Sequence, residues 1–269
     1  MHDSGDTSSL SQNETSTERV SATASPTSEP FDLHVFGPLS GLIDASPFCV
    51  KAMVLLKMTG HPYTTSKINL FKAPKGKAPV LFHGDNVVPD TTFIRFYLER
   101  TLGFDFDEGC TDEQRGIAWA AEKLIEDNLY FMIASERWLI DENFNAGPRH
   151  YFDDVPAPLR PVIRTIVRRD VRAMLKKQGI SRHSREEQTL LAVRGFEAIA
   201  QIIGDKDWLT GDTPCGADAS VWAGLHALFG GPFRSPTICA IASKPRTASS
   251  VCSSRECRLM PCFFSIART

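Results

Sequence analysis

A serine and a cysteine stand three residues apart in the segment Ser46-Pro47-Phe48-Cys49, at the predicted start of a helix. A hydroxyl just before a helix N-terminus can donate a hydrogen bond to a bound anion, which the partial positive charge of that terminus also stabilises. The spacing is that of a Cys-x-x-Cys pair with the first cysteine replaced, so exchange between two thiols is excluded. We expect Cys49 to be packed and inert, with a mixed disulfide to a small thiol as the alternative.

A second polar group, Asp90-Thr91, precedes another predicted helix. Aspartate and threonine are common helix caps, because their side-chain oxygens accept hydrogen bonds from the first amides of the helix. The same amides also bind carboxylates. Capping alone and a place in a binding site are therefore both consistent with this pair.

The elements that must hold these residues begin at Phe31, where alternation over residues 31–36 predicts a short strand. A helix is predicted from Pro47 to Gly60. A second strand over residues 63–68, a hairpin that turns at residues 84–86, and a helix over residues 93–102 follow. The order is β-α-β, then a β-hairpin and a helix.

Residues 111–236 predict helices only. Thr111 and Gln114 form a capping-box pattern that opens a long helix, and further helices are predicted over residues 159–174, 184–204 and 217–229. The chain is therefore predicted to have an α/β half followed by an all-α half.

This order resembles the glutathione transferase superfamily over residues 31–236, and local segments strengthen the resemblance. Ser46-Pro47-Phe48-Cys49 stands where the superfamily places its thiol-activating residue. The segment Lys77-Ala78-Pro79-Val80 resembles the one before the third strand, where the proline is cis. The pair Asp90-Thr91 resembles the acidic-hydroxyl pair at the start of the third helix, and residues 209–219 resemble the folding motif of the helical domain.

The string Ser-Pro-Phe-Cys-x-Lys, with Pro62-Tyr63 after it, is especially similar to the branch that contains failed-axon-connections proteins, metaxins and their bacterial relatives. That branch implies a rival to catalysis, namely a non-catalytic protein of the same fold that acts in protein or membrane-surface interactions.

The resemblance implies an α/β thioredoxin-like, glutathione-binding domain at residues 31–104 and an all-helical domain at residues 111–236. It implies that Ser46 activates the thiol of glutathione, with Cys49 as the second choice. Substrate binding would fall to Lys77, Ala78, Pro79, Asp90 and Thr91: Ala78 would pair with the cysteinyl backbone, Thr91 would receive a carboxylate, and Asp90 would engage the γ-glutamyl amine. The implied partners are glutathione as co-substrate, a small apolar electrophile and a second copy in a homodimer.

Composition narrows the function classes. A net charge of −2 gives no overall attraction to nucleic acid, and none is predicted as a partner. The histidines share no metal-ligand spacing, and Cys252, Cys257 and Cys262 lack a nearby fourth ligand, so no metal is predicted. Seven cysteines without a secretory signal indicate a reducing cytosol. No segment reaches the length of a membrane span.

A basic stripe recurs every four residues at Arg160, Arg164, Arg168 and Arg172, which places it on one flank of a helix. Such a stripe can contact an anionic substrate, acidic phospholipid headgroups or an acidic partner. The alternative is a solvated flank that is partly paired with acidic neighbours.

Both termini differ from the rest of the chain. Residues 1–30 are rich in Ser, Thr, Asp and Glu and predict a disordered tail. Residues 237–269 lose apolar periodicity and predict an anomalous, poorly ordered tail. A change of reading frame in the source sequence and a divergent tail are two explanations of this C-terminal segment.

Overall fold

The computed structural model describes residues 29–243 of the chain. Most of the two predicted tails, and the three cysteines at positions 252, 257 and 262, lie outside these described residues. Within them the predicted fold class is confirmed: a mixed four-stranded sheet with helices precedes a helical half.

The sheet has the strand order β2-β1-β3-β4. The first strand is parallel to the second and antiparallel to the third, and the hairpin closes between the third and fourth. Alternate residues of the first strand are buried, as the sequence pattern predicts. The strands are β1 (Phe31–Val35), β2 (Tyr63–Lys67), β3 (Val80–His83) and β4 (Asn86–Pro89).

Helices α1 (Pro47–Met58) and α2 (Thr91–Leu102) complete the α/β half. Pro47 occupies the first turn of α1, where its missing N–H costs nothing. Gly103 ends α2 with a φ of 63°, a left-handed conformation that glycine adopts without a steric penalty. Leu33, Leu55 and Leu81 from the sheet and α1 are fully buried in the core of this half.

The helical half begins with a capping box at Thr111 and Gln114, as predicted. A second predicted box, at Ser184 and Glu187, opens a later helix. The helices are α3 (Asp112–Lys123), α4 (Tyr130–Leu139), α5 (Asp141–Ala146), α6 (Arg160–Gln178), α7 (Arg185–Ile203), α8 (Gly216–Phe229) and α9 (Pro236–Ala242), with a π-helical turn at Leu124–Leu129 and 3₁₀ turns at Pro148–Phe152 and Ile180–Arg182.

Two features of the helical half differ from the sequence-based expectation. The long helix predicted after Thr111 contains the π-helical turn, for which apolar periodicity gives no signal. The short helix α9 continues beyond residue 236, where the helical domain was expected to end. Its first turn is capped by the Ser235 hydroxyl, which accepts a hydrogen bond from the amide of Ile238 at 3.1 Å.

The two halves are joined by a buried ion-pair network, which we call the interface network; its central cation is Lys51 of α1. Only 1% of the Lys51 side chain is exposed, and its ammonium donates to Glu126 in the π-helical turn and lies 3.1 Å from Glu122 of α3. The Glu126 carboxylate also accepts a hydrogen bond from the Ser220 hydroxyl of α8 at 2.9 Å. Burial opposes ionisation of Glu126, but Lys51 and Lys123 outweigh it and lower the Glu126 pKa.

Arg95 of α2 forms the second centre of the interface network. Its guanidinium donates to Asp107 at 2.5 Å and to Glu99 at 2.8 Å, and it lies 3.5 Å from Glu122. The other Asp107 oxygen accepts a hydrogen bond from the Gly216 amide at the start of α8. Gly216 must be a glycine here, because a Cβ atom would lie 2.6 Å from the Arg95 guanidinium.

Replacing Lys51 by methionine should lower the free energy of unfolding by about 3–5 kcal/mol, because two buried carboxylates lose their central cation. Lys57→Met, in the last turn of the same helix and only partly buried, should change it by about 0.5 kcal/mol or less. Urea unfolding measures both values. Equal stabilities of the two variants would contradict the central role of Lys51.

Candidate functional site

Three predicted site segments lie at one end of the sheet. The register pairs His34 of β1 with Val80 of β3, so the end of β1 lies beside the start of β3. Val80 also pairs with Pro89 at the end of β4. The segments that follow β1, precede β3 and follow β4 therefore meet at the same edge, and these segments contain Ser46, Ala78-Pro79 and Asp90-Thr91.

Backbone hydrogen bonds hold these segments together. The amide of Asp90 donates to the carbonyl of Pro79 at 3.3 Å, and the amide of Ala45 donates to the carbonyl of Gly37 at 3.1 Å. The second bond folds residues 37–46, which we call the β1–α1 loop, back onto the end of β1. The Ala78–Pro79 peptide bond is cis. Ser46 is thereby brought to the sheet edge that Pro79 and Asp90 also occupy.

Asp90 has a φ of 83°, an uncommon value for a residue other than glycine. Such a conformation costs on the order of 1–3 kcal/mol and persists where the surrounding contacts impose it. Here the bond to Pro79 and a 3.0 Å bond from the Thr92 amide to the Asp90 carboxylate impose it. Thr91 is buried, whereas Asp90 stays exposed at the sheet edge.

The remaining predicted binding residues differ in exposure. Ala78 is half-buried and Pro79 is buried, while Lys77 is exposed. Lys75, which the sequence analysis did not select, lies 3.8 Å from the Asp90 carboxylate and 4.4 Å from the centre of the Phe93 ring. The Lys75 ammonium therefore lies beside Asp90 at the sheet edge. The loop before β3 contains several lysines, and its sequence alone does not show which of them approaches Asp90.

Ser46 is half-buried at the N-cap of α1, and its side chain makes no capping hydrogen bond. Its own amide donates to the Asp44 carboxylate at 2.8 Å, and the amide of Gly37 donates to the other Asp44 oxygen at 2.6 Å. Asp44, which the sequence analysis missed, therefore accepts the hydrogen bonds of the amides at both ends of the loop. The Ser46 hydroxyl makes no capping bond and interacts instead with the Cys49 thiol one turn into the helix.

The Asp44 carboxyl is buried, and burial raises its pKa to about 6, although the amides of Ser46 and Gly37 oppose the rise. The Cys49 thiol is also buried, and burial together with the nearby Asp44 charge raises its pKa well above the ordinary value. Since the thiolate is the reactive form of cysteine, this geometry makes Cys49 a packed, protonated thiol.

Aromatic side chains of the helical half face the β1–α1 loop. The Tyr151 hydroxyl donates to the carbonyl of Ala45 at 3.3 Å, and the Tyr151 ring stacks on Trp138 and lies 6.2 Å from Phe36. Burial raises the pKa of Tyr151 to about 12. Tyr130 packs edge-on against Phe48 at 4.8 Å. Beside Ser46 the cleft between the halves is therefore largely aromatic.

Arg137 is a buried cation behind this cleft. It donates to the carbonyls of Ala45 and Ala227 and lies 4.6 Å from the centre of the Phe233 ring. Burial lowers its pKa, because its hydrogen-bonded partners are neutral carbonyls. Arg137 thus ties the β1–α1 loop to α8 of the helical half.

Three of the four tryptophans pack against the cores. Trp138 packs against the core of the helical half, whereas Trp222 and Trp208 contact the core of the α/β half. Trp119 is 44% exposed and stacks on Phe96 of α2 outside the cleft. At the cleft, Tyr151 faces the β1–α1 loop and Tyr130 faces Phe48 of α1.

A cavity of about 420 Å³ between α2 and α3 contains none of the predicted site residues. Its charged groups already pair with one another, Arg95 with Asp107 and Arg115 with Asp105. The sheet edge therefore remains the candidate functional site. No cluster of three or more potential metal ligands occurs within residues 29–243.

The predicted basic stripe is largely engaged inside the fold. Arg160 donates to the carbonyls of Asp153 and Val155, and Arg164 donates to the carbonyl of Arg149. Arg168 donates to the carbonyls of Trp138 and Leu139 at the end of α4 and pairs with Asp141. These arginines anchor α6 to the preceding segments, which leaves Arg172 as the exposed member of the four.

A mixed four-stranded α/β half followed by an all-helical half defines a two-domain protein with a thioredoxin-like first domain. Family profiles described as "Glutathione S-transferase N-terminal domain" and "Glutathione S-transferase, C-terminal domain" match residues 47–143 and 192–246. The chain belongs to the glutathione transferase superfamily.

Relatives and solved structures agree with this assignment. The chain is 28% identical over 202 residues to isoprene-epoxide glutathione S-transferase of a Rhodococcus species, covering 71% of this chain and 83% of that protein. It is 24% identical over 206 residues to Failed axon connections of Drosophila melanogaster, covering 73% of this chain and 49% of that protein. The predicted superfamily and branch are thereby confirmed.

The fold matches glutathione transferase GSTFuA3 of Phanerochaete chrysosporium with a TM-score of 0.55 at 16% identity, covering 90% of this chain and 98% of that one. It also matches glutathione S-transferase unclassified 2 of Bombyx mori with a TM-score of 0.53 at 15% identity, covering 89% and 94% of the two chains.

The buried Asp44 carboxyl should make stability depend on pH. Its pKa is about 6 in the folded chain and 3.8 ordinarily, so its contribution is fully present below pH 3.8 and is lost as the pH rises through 6. The stability of the native chain relative to Asp44→Asn should therefore fall by about 2 kcal/mol between pH 4 and pH 7. Urea unfolding across this range measures it.

The matched control is Asp85→Asn, at an exposed position in the hairpin turn. Its stability relative to the native chain should stay level over the same pH range. If the stability of the native chain relative to Asp44→Asn also stayed constant over this pH range, the Asp44 carboxyl would not be held in a buried environment.

Proposed function

We propose that the chain is a glutathione transferase that binds glutathione at the sheet edge and joins its sulfur to a small apolar electrophile. The observation that supports the proposal is the strand register and the backbone bonding, from which the segments with Ser46, Ala78-Pro79 and Asp90-Thr91 lie at one end of the sheet. The similarity to a relative whose name includes both glutathione and an epoxide substrate supports it.

In this proposal the edge backbone at Ala78 pairs with the cysteinyl unit of the peptide. The α2 N-terminus at Thr91 receives a carboxylate, because its partial positive charge favours an anion. Asp90 binds the γ-glutamyl amine, and Lys75 and Lys77 supply positive charge for the second carboxylate.

The glutathione thiol releases its proton to solvent, and the Ser46 hydroxyl donates a hydrogen bond to the sulfur and stabilises the thiolate. The thiolate attacks an electrophilic carbon, forms the new carbon–sulfur bond and displaces a leaving group with its electron pair. The aromatic wall of Tyr151, Trp138 and Tyr130 suits an apolar electrophile, since it offers area without charge.

One observation favours the rival function, a non-catalytic interaction protein. The Asp44 carboxylate bonds to the Ser46 amide and, with a pKa of about 6, is mostly charged at pH 7. A negative charge at this place opposes formation of a second anion on a bound thiol. The similarity to Failed axon connections is consistent with this rival.

Retention on immobilised glutathione separates the two functions. The transferase should be retained and eluted by free glutathione, whereas the non-catalytic protein should pass through the column. Passage of the folded chain through the column would contradict the proposed function.

Ser46→Ala should lower the rate of glutathione conjugation to a generic aryl halide by about 100-fold, because the thiolate loses its hydrogen-bond donor. Cys49→Ala should leave the rate nearly unchanged, since the Cys49 thiol is buried and protonated. Stopped-flow or steady-state absorbance measures both rates. The opposite pattern would make Cys49 the reactive group.

We further propose that the chain forms a homodimer through an exposed aromatic face on α2 and α3. Phe93, Phe96 and Trp119 are 53%, 46% and 44% exposed, and Lys123 lies over the Trp119 ring. Cations and carboxylates occur together around this face, so a twofold contact can pair opposite charges.

Phe96→Asp should convert the dimer to a monomer, because it places a charge at the centre of the apolar contact. Phe71→Asp, at a fully exposed phenylalanine in the loop before β3, is the control and should leave the dimer intact. Size-exclusion chromatography with light scattering measures the mass. A dimer that persists in Phe96→Asp would rule out this face.

We also place the chain in the cytosol, because the cysteines that the structure describes are free thiols. Among residues 29–243, the helices are too short or too polar to cross a bilayer.

A further inference from the structure

Helix α6 presents an apolar stripe to solvent, which we call the α6 stripe. It consists of Leu159, Val162, Ile166 and Met174, which are 52%, 58%, 46% and 39% exposed. Their spacing of three, four and eight residues places them on one side of the helix over about 22 Å. Asp170, which is four residues from both Ile166 and Met174, interrupts this surface, so it is contiguous only from Leu159 to Ile166. Exposed apolar surface of this kind marks a contact with a partner or a membrane.

The opposite side of α6 faces the protein. Leu175 is fully buried there, and Arg164 and Arg168 extend from that side to the carbonyls of the preceding segments. The orientation of α6 is therefore fixed by internal bonds. The exposure of the α6 stripe follows from this orientation.

Cations border the α6 stripe along one edge. Helical spacing places Arg169, Arg172 and Lys176 beside Val162 and Ile166. The helix holds seven lysine or arginine residues and a single acid, Asp170, which lies 3.8 Å from Arg169. Arg172 and Lys176 form no ion pair with any residue between 29 and 243.

We propose that α6 docks on the surface of an anionic phospholipid membrane. The α6 stripe enters the boundary between headgroups and acyl chains, while Arg169, Arg172 and Lys176 contact the lipid phosphates. A helix with an apolar face and flanking lysine and arginine residues lies in the plane of such an interface. Cytosolic membrane leaflets carry the negative charge that these cations require.

The positive charge beside the α6 stripe favours an anionic membrane over two other possible partners of this surface. A twofold contact between copies would bring the basic edge of one α6 close to that of the other, which is repulsive. The chain's own residues 244–269 hold five basic residues and one acid, so they carry the same sign as α6. An anionic lipid surface is complementary to the basic edge and also accommodates the apolar stripe.

A nucleic acid would pair its phosphates with the cations but would leave the α6 stripe without a partner, because binding to the phosphate backbone is electrostatic. The proposal therefore requires both parts of the surface. It does not depend on the glutathione site, which lies at the sheet edge.

Cosedimentation of the full chain with phosphatidylcholine vesicles, with and without phosphatidylserine, tests the proposal. The chain should sediment only with the vesicles that contain phosphatidylserine, and added salt should weaken the binding. Arg172→Glu/Lys176→Glu should lower the partition coefficient at least about 25-fold, at about fivefold for each cation. Val162→Ser/Ile166→Ser should also abolish sedimentation.

Matched controls make the same changes elsewhere. Lys57→Glu/Lys72→Glu alters the net charge equally on the α/β half, and Leu190→Ser removes a leucine of α7 that is 68% exposed. Both control variants should sediment like the native chain. Thermal unfolding checks that every variant is folded, and any variant that is not is replaced by Val162→Gln or Arg172→Gln.

Four results would overturn the proposal. The first is absence of sedimentation with phosphatidylserine vesicles, and the second is an equal loss of binding in the control variants. The third, a change in mass of the α6 variants on light scattering, would assign the surface to a second copy. The fourth, RNA binding that depends on the cations and not on the α6 stripe, would assign it to nucleic acid.

Discussion

The arrangement of the two halves depends on the interface network, in which Lys51 and Arg95 of the α/β half meet Glu122 and Glu126 of the helical half. Removing charges from water is costly, so each buried charge needs a partner of opposite sign, and Glu122 lies 3.1 Å from both Lys51 and Lys123. These pairs join α1 and α2 to α3 and the π-helical turn. The cleft beside Ser46 has its shape because these charges fix the helices that border it.

The β1–α1 loop shows how a structural residue can set the chemistry of a neighbouring one. Asp44 holds the amides of Gly37 and Ser46, and this frees the Ser46 hydroxyl from the capping role that serines usually take. Burial, together with the charge of the same carboxyl, raises the pKa of Cys49. One buried acid thus helps to keep the Cys49 thiol protonated and brings negative charge close to Ser46.

Several features of the fold could be predicted from residue patterns because they depend on neighbours close in sequence. Alternation predicts β1, and the caps at Thr111 and Ser184 predict the starts of α3 and α7. The segments before Pro79 and α2 could be recognised as site segments for the same reason. The π-helical turn at Leu124–Leu129 and the orientation of Trp119 depend on contacts between halves, and the apolar periodicity of the long helix does not contain them.

The amino-acid sequence by itself determined the fold class, the superfamily and the segments that border the site, because strand alternation, helix caps and motif spacing are local properties. Only the tertiary structure decided which side chains meet. It brought Arg137 and Tyr151 to the carbonyl of Ala45, and it turned Arg168 inward while it left Val162 in solvent. These relations join residues up to about a hundred positions apart, and their energies depend on burial, which exists only once the chain has folded.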